Sequence, residues 1–249
     1  MMQSAYITDA TVDGIFWPNL RMKLMDQWTR IIQNFDQYAS PLRPSQEDVS
    51  LYKAQLKPDD RVLLLGITSE LIPLATVLVD HNPKLIEQLQ SPQAVLGDWS
   101  DLPFQSEFDA VIGDGVLTVF QGTLVHFFEQ VRKVLRKGGS MTLRLYISPE
   151  TKEDYEDVLR TKKKTGFHAF KWRVAQVLAN PYIRVKDLYN AVLPVWDHPT
   201  LQFYQDSDLV YYFPKLSELP AYDQIQFPSS YDLAERCPVV TWRNYIQTT

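Results

Sequence analysis

The sequence predicts an α/β fold: a mostly parallel seven-stranded sheet with a terminal antiparallel strand pair, N-terminal helices, and a helical insertion before the last two strands. Three observations carry that expectation. Val62–Leu63–Leu64–Leu65 is an unbroken apolar run, the mark of a strand covered on both faces of a parallel sheet. A second run, Thr76–Val77–Leu78–Val79, ends in Asp80 and so sets a carboxylate at the carboxyl end of the next strand. From Arg61 to about Ile147 strand and helix patterns alternate, as βαβ units require.

The bulk properties narrow the class. The chain has 249 residues, enough to bury a sizeable core, with 45% hydrophobic and 22% charged residues. Its formal net charge of −5 counts against a general nucleic-acid binder, which needs a basic footprint. Cys237 is the only cysteine, which excludes an internal disulfide or a cysteine metal cluster and fits a reducing compartment. The four histidines are scattered, with no metal-ligand spacing. The start Met1–Gln3–Tyr6 lacks a basic, then apolar, targeting pattern, and no apolar run reaches membrane-spanning length. The expectation is a soluble, cytoplasmic protein without a metal.

Along the chain, Leu20, Leu24, Trp28, Ile31, Phe35 and Tyr38 recur at helical spacing, and Pro41 and Pro44 stop that helix. Ser45 to Asp48 resembles a capping box for a second helix carrying Val49, Tyr52 and Leu56. Trp17 and Tyr52 face either a site or the core. Asn82 and Pro83 open a helix after the second strand. Ala94–Leu96 is a third strand, ending at Gly97–Asp98–Trp99, and Phe108–Ile112 a fourth, ending at Gly113–Asp114–Gly115. Thr123 caps a helix bearing Leu124, Phe128, Val131 and Leu135, closed by Gly138–Gly139, and Met141–Ile147 is a fifth strand. Residues 151–178 read as helix broken near Gly166, and Val185–Leu193 as another. Lys162–Lys163–Lys164, Lys171 and Arg173 form a local basic face. Ile225–Phe227 and Pro238–Trp242 are the terminal pair. The expected organisation is one domain: helices over 1–57, a core over 58–148, the mainly helical insertion over 149–215, and the final pair over 216–249.

Ligands of open α/β sheets bind outside the carboxyl ends of the strands, where strand order reverses. A nicotinamide fingerprint starting at Gly66 requires glycines where Thr68 and Leu71 stand, and Pro73 leaves only about one helical turn to meet a pyrophosphate. No lysine follows the turn, which excludes a phosphate-binding P-loop. A ligand with ribose, adenine and amino acid parts but no phosphate fits better.

At these residues the chain resembles the class I S-adenosylmethionine-dependent methyltransferases, whose fold is Rossmann-like. Leu65–Gly66–Ile67–Thr68–Ser69–Glu70–Leu71 looks like an uncommon variant of that family's Gly-x-Gly-x-Gly first motif. Gly97–Trp99 with Phe108–Gly115, and Val131–Gly139, resemble the later motifs in order and spacing. The step from Gly66 to Asp80 is shorter than usual there, which implies a curtailed intervening helix. The resemblance implies the cofactor S-adenosylmethionine and a set of roles. Gly66, Ile67 and Thr68 would receive the methionine carboxylate, and Asp80 would accept from both ribose hydroxyls. His81 would lie beside the ribose or adenine. Gly97 would belong to the cofactor-binding set, Asp98 accept from the adenine amino group, and Trp99 pack on its ring. Asp114 and Gly115 would sit beside the sulfonium and the acceptor, with Asp114 the candidate base. The expected function is methyl transfer to a small-molecule acceptor, with Phe170, Trp172, Tyr204, Tyr211, Tyr212 and Phe213 as candidate pocket walls. Two other functions stay open at this point: a non-catalytic methyltransferase-like binding module, and an RNA methyltransferase that uses the basic face.

Overall fold

A computed structural model describes residues 11–12, 15–16, 34 and 37–243. Apart from Tyr38, which is buried, the residues expected to form the long leading helix lie outside the described ones, as does Trp17. Two short strands, β1 (Thr11–Val12) and β2 (Ile15–Phe16), pair antiparallel.

The centre is β3 (Val62–Leu65), every residue of which is buried. It pairs in parallel with β4 (Val77–Asp80) on one side and β6 (Phe108–Asp114) on the other. Beyond β4 lies β5 (Ala94–Leu96), and beyond β6 lies β7 (Leu135–Arg144), both parallel. The antiparallel strands β11 (Val239–Trp242) and β10 (Gln224–Gln226) finish that edge, giving the order β10-β11-β7-β6-β3-β4-β5. The expected fold class is therefore the observed one. Strand order reverses between β3 and β6, and Gly66, Asp80 and Asp114 all stand at carboxyl ends around that point.

Alternation along β3 explains its purely apolar sequence. Leu63 and Leu65 pack into the cluster formed with α4 (Leu124–Val134), alongside Phe128, Val131 and Trp242. Val62 and Leu64 pack on the opposite face with Val49 and Tyr52 of α1 (Gln46–Lys53). Ser45 and Asp48 form the expected capping box on α1: the Asp48 N–H donates to Ser45 Oγ, and the Ser45 N–H to Asp48. Tyr52 then ties α1 to the sheet, since its hydroxyl donates to Gly113 O at 2.6 Å and accepts from the Arg144 N–H at 2.7 Å.

Between β3 and β4 there is only a 3-10 turn, Ile72–Leu74, as the position of Pro73 predicts. Asn82 caps α2 (Pro83–Leu89), and Gly115 opens the short α3 (Val116–Val119). Helix α4 does not close on Gly138–Gly139: it ends at Val134, and Leu135 is already extended and paired with Phe108. Both glycines instead sit inside β7, where the register jumps from Phe108–Leu135 to Ala110–Ser140 and Gly138 takes φ +86.

The insertion contains α5 (Tyr155–Arg160), α6 (Phe167–Leu178) and α7 (Val185–Val192) around its own apolar cluster. It also contains a strand pair absent from the sequence reading, β8 (Tyr182–Arg184) with β9 (Val210–Tyr212). The expected basic face does not assemble. Lys162–Lys164 is a 3-10 turn, Lys171 is fully buried, and Arg173 is paired with Glu153 at 2.6 Å. Among the described residues no helix is long and apolar enough to cross a membrane.

Replacing Tyr52 by Phe deletes one hydroxyl and leaves a buried carbonyl and a buried N–H unpaired. The expected loss is about 2–4 kcal/mol in urea unfolding, from roughly 1–3 kcal/mol per orphaned group. A loss below about 0.5 kcal/mol contradicts this role for the α1–sheet tie.

Candidate functional site

A cleft of about 400 Å3 opens at the carboxyl ends of β3, β4 and β6. Gly66, Ile67, Thr68, Asp80, His81, Asp98, Trp99, Asp114 and Gly115 all line it. Gly97 does not: a Cβ there would stand 2.8 Å from Val79 Cγ2 and 3.1 Å from Pro103, so this glycine serves chain packing.

The first turn is shaped by Gly66, whose φ of +89 only glycine adopts without strain. A Cβ at Gly66 would meet the Trp99 ring at 3.3 Å and Asp80 Oδ2 at 4.0 Å, so turn, ring and carboxylate share one corner. Val79 O closes that corner by accepting from the Gly66 N–H at 2.9 Å and from Trp99 Nε1 at 3.1 Å. Among the described residues the N–H groups of Ile67 and Thr68 have no protein acceptor, while Thr68 O takes the N–H groups of Leu71 and Ile72. Two free donors at this turn suit an anionic group.

Asp80 is 8% exposed. Its Oδ1 accepts from the Asn82 N–H at 2.8 Å and lies 3.7 Å from His81 Nδ1. Burial pushes the Asp80 carboxyl above the usual range, against the opposing pull of Asn82 and His81. At the end of β5, Asp98 Oδ1 accepts from the Ser100 N–H at 2.9 Å and from Ser100 Oγ at 2.7 Å, which fixes the loop that carries Trp99.

Asp114 has a different environment from the one expected of a base. Both its oxygens accept from Arg144, Oδ1 from Nε at 2.6 Å and Oδ2 from Nη2 at 3.0 Å. Arg144 is wholly buried and also donates to the hydroxyls of Tyr231 and Tyr146, each at 3.1 Å, with Asp48 at 3.7 Å. Burial opposes the guanidinium charge, but Asp114, Tyr146 and Tyr231 hold Arg144 above its ordinary value. Burial pushes the Asp114 carboxyl above its usual range, while the Arg144 guanidinium at both oxygens pulls it back, so a general base there would take its proton in competition with that pairing. The sequence reading missed Arg144 because nothing local marks a strand arginine as buried.

The far end of the cleft is aromatic. Trp172, Tyr204 and Tyr211 line it as expected, joined by Tyr38, Phe120 and Tyr146, which were not among the expected pocket walls. Phe170 and Phe213 are buried in the insertion core instead, and Tyr212 faces Tyr182 at 5.2 Å. The leading segment crosses this end: Pro41 O accepts from the Tyr146 hydroxyl at 2.8 Å, and Arg43 Nε donates to Glu70 at 2.6 Å. Glu70, part of the unusual first motif, thus holds the segment that covers the cleft. Among the described residues no cluster of His, Cys, Asp or Glu is arranged to hold a metal ion. Cys237 is buried, its thiol pushed up to about 12 by burial.

Residues 63–143 match a family model described as a methyltransferase domain. No curated protein matches the chain. The 1,6-didemethyltoxoflavin N1-methyltransferase of Burkholderia thailandensis, solved with 1,6-didemethyltoxoflavin and S-adenosylhomocysteine, is similar in structure at a TM-score of 0.57. The two are 13% identical, over 95% of this chain and 92% of that one. A protein of Rhodobacter sphaeroides described as a putative zinc-dependent alcohol dehydrogenase reaches a TM-score of 0.61 at 13% identity, over 89% and 98% of the two chains. An S-adenosylmethionine-dependent methyltransferase of Mesorhizobium loti gives 0.51 at 13%, over 79% and 97%. At such identities the likeness is one of fold. The family model matches the central part of the chain, from β3 to near the end of β7.

Arg144→Met strands the buried Asp114 carboxylate and removes the positive charge beside Asp48, which keeps its hydrogen bonds from Ser45 and Tyr231. We expect a loss of about 3–5 kcal/mol in chemical unfolding, the usual cost of removing one partner from a buried ion pair. An unchanged unfolding midpoint would show that Arg144 is dispensable.

Proposed function

We propose that this protein is an S-adenosylmethionine-dependent methyltransferase acting on a small-molecule acceptor. The observation that carries this reading is the corner formed by Gly66, Asp80 and Trp99 at the switch point. It combines a turn whose N–H donors meet no acceptor among the described residues, a nearly buried carboxylate and an aromatic ring, which are the three partners needed by an amino acid end, a ribose and an adenine. The cleft volume falls within the range of small-molecule sites.

In this reading the Ile67 and Thr68 N–H groups hold the methionine carboxylate. Asp80 accepts from the ribose hydroxyls, beside His81. Trp99 lies along the adenine, and Asp98, held by Ser100 at the end of β5, stands on the side of its amino group. Bound there, S-adenosylmethionine supplies an electrophilic methyl carbon. The chain's contribution is to align the acceptor with that carbon and to exclude water, which can account for much of the rate of an in-line displacement. Gly115 opens α3 with φ +62, and a Cβ there would strike the Tyr146 ring at 2.6 Å, so glycine lets that ring pack against the turn. The acceptor lies against Tyr146, Trp172, Tyr204 and Tyr211. The burial of Lys171 and the pairing of Arg173 take both out of the basic face that an RNA reading would use.

Calorimetric titration of S-adenosylhomocysteine tests the assignment. Asp80→Asn is expected to weaken binding at least tenfold, since a hydrogen bond to a charged group contributes roughly 1.5–3 kcal/mol. The ribose hydroxyls donate to the ionised carboxylate, whose pKa is raised by burial. Affinity of the natural protein should therefore fall as pH drops from neutrality through that raised value, and Asp80→Asn should flatten the dependence. Equal affinity in both proteins would sink the ribose role, and no binding to the folded natural protein would sink the cofactor assignment.

A further inference from the structure

Lys171 sits mid-way along α6, on what the sequence suggested was a basic face, yet it is fully buried. Its Nζ donates to the Tyr204 hydroxyl oxygen at 2.6 Å and stands 3.8 Å from the centre of the Tyr204 ring. Among the described residues it has no carboxylate partner. The titratable groups around the pair are His168 on the same helix, His198 before the 3-10 turn that carries Tyr204, Tyr38 from the leading segment, whose hydroxyl shares a hydrogen bond with that of Tyr204, Tyr146 after β7, and Tyr211 on β9. None of these is an acid that would neutralise an ammonium.

An amine placed in that setting is costly to protonate. Burial holds Lys171 well below its ordinary range, and pushes His168 down to about 3. A neutral amine with a lone pair is a base, and this one is joined directly to a phenol that lines the cleft. The same end of the cleft is walled by the aromatic side chains of Tyr38, Trp172 and Tyr211, surroundings that suit an aromatic partner. Asp114, the other titratable group near the acceptor, is occupied by Arg144 at both oxygens.

We propose that Tyr204 and Lys171 are the proton-accepting pair of this site, and that its acceptor is a flat aromatic ring methylated on an oxygen or nitrogen that still carries a proton. The proposal rests on the methyltransferase reading above. As the acceptor atom bonds to the methyl carbon and the carbon–sulfur bond breaks, the acceptor's proton passes to the Tyr204 oxygen. The Tyr204 hydroxyl proton passes in turn to Nζ of Lys171. The positive charge that began on the sulfonium ends on the Lys171 ammonium, and the sulfur becomes a neutral thioether. Tyr204 meets the acceptor; Lys171 acts through it.

The test uses 4-nitrophenol as the probe, added to the full chain saturated with S-adenosylhomocysteine, with the probe's ionisation read from its phenolate absorbance. The pair should draw the proton from the bound probe, so its ionisation constant should rise at least about tenfold, one pKa unit, over that of the free probe. Lys171→Met and Tyr204→Phe should each abolish the rise while S-adenosylhomocysteine binds as before. Two variants guard against one that fails to fold, which thermal melting would reveal. A probe that binds as neutral phenol to the natural protein, or that ionises equally in both variants, overturns the proposal. So does a probe that fails to bind while S-adenosylhomocysteine does, and the cofactor reading then stands alone. Failure of S-adenosylhomocysteine itself to bind overturns both.

Discussion

One buried guanidinium organises the ligand side of this molecule. Arg144 ends β7 with no exposure to water, and taking its charge out of water is tolerable only because Asp114 meets it at both oxygens. The partners come from four places in the chain: Asp48 in α1, Asp114 at the end of β6, Tyr146 just after β7, and Tyr231 before β11. Tyr52 adds a neutral tie, binding the Arg144 N–H and Gly113 O through one hydroxyl. These contacts fix how the leading segment, the sheet and the last loop meet. Tyr146 carries the constraint outward, since it bonds both Arg144 and Pro41 O while lining the cleft.

The two ends of the cleft are built by different means. The end formed by Gly66, Asp80 and Trp99 rests on the carboxyl ends of parallel strands, whose ladder sets the positions of Val79 O and the Gly66 N–H. Precision there comes from backbone hydrogen bonding, and a three-residue 3-10 turn suffices where a longer helix would be usual in this fold. The aromatic end rests on the insertion, a separately packed apolar cluster bridged to the sheet by Tyr146.

Much of the fold was legible because its signals are local. The apolar run of β3, the glycine after it, Ser45 and Thr123 as caps, and the closing strands each read out within a few residues. The error at α4 was local as well: Gly138 and Gly139 look like a helix stop, but Leu135 gains more by pairing with Phe108, and the glycines become a bulge in β7. The β8–β9 pair went unread because its strands are three residues each and lie far apart in sequence, so no periodicity could develop.

The candidate site divides along the same line. Gly66, Asp80, Asp98 and Trp99 could be placed at one edge from sequence alone, because a parallel sheet puts successive strand ends side by side. What those groups face was settled only in three dimensions. Asp114 reads as an available carboxylate until Arg144, thirty residues away, takes both its oxygens. Lys171 reads as part of a solvated basic face until Tyr204, thirty-three residues on, covers it. A sequence states which side chains are ionisable and where along an element they fall. Their charge depends on desolvation and on partners distant in the chain, and those exist only once the chain has packed.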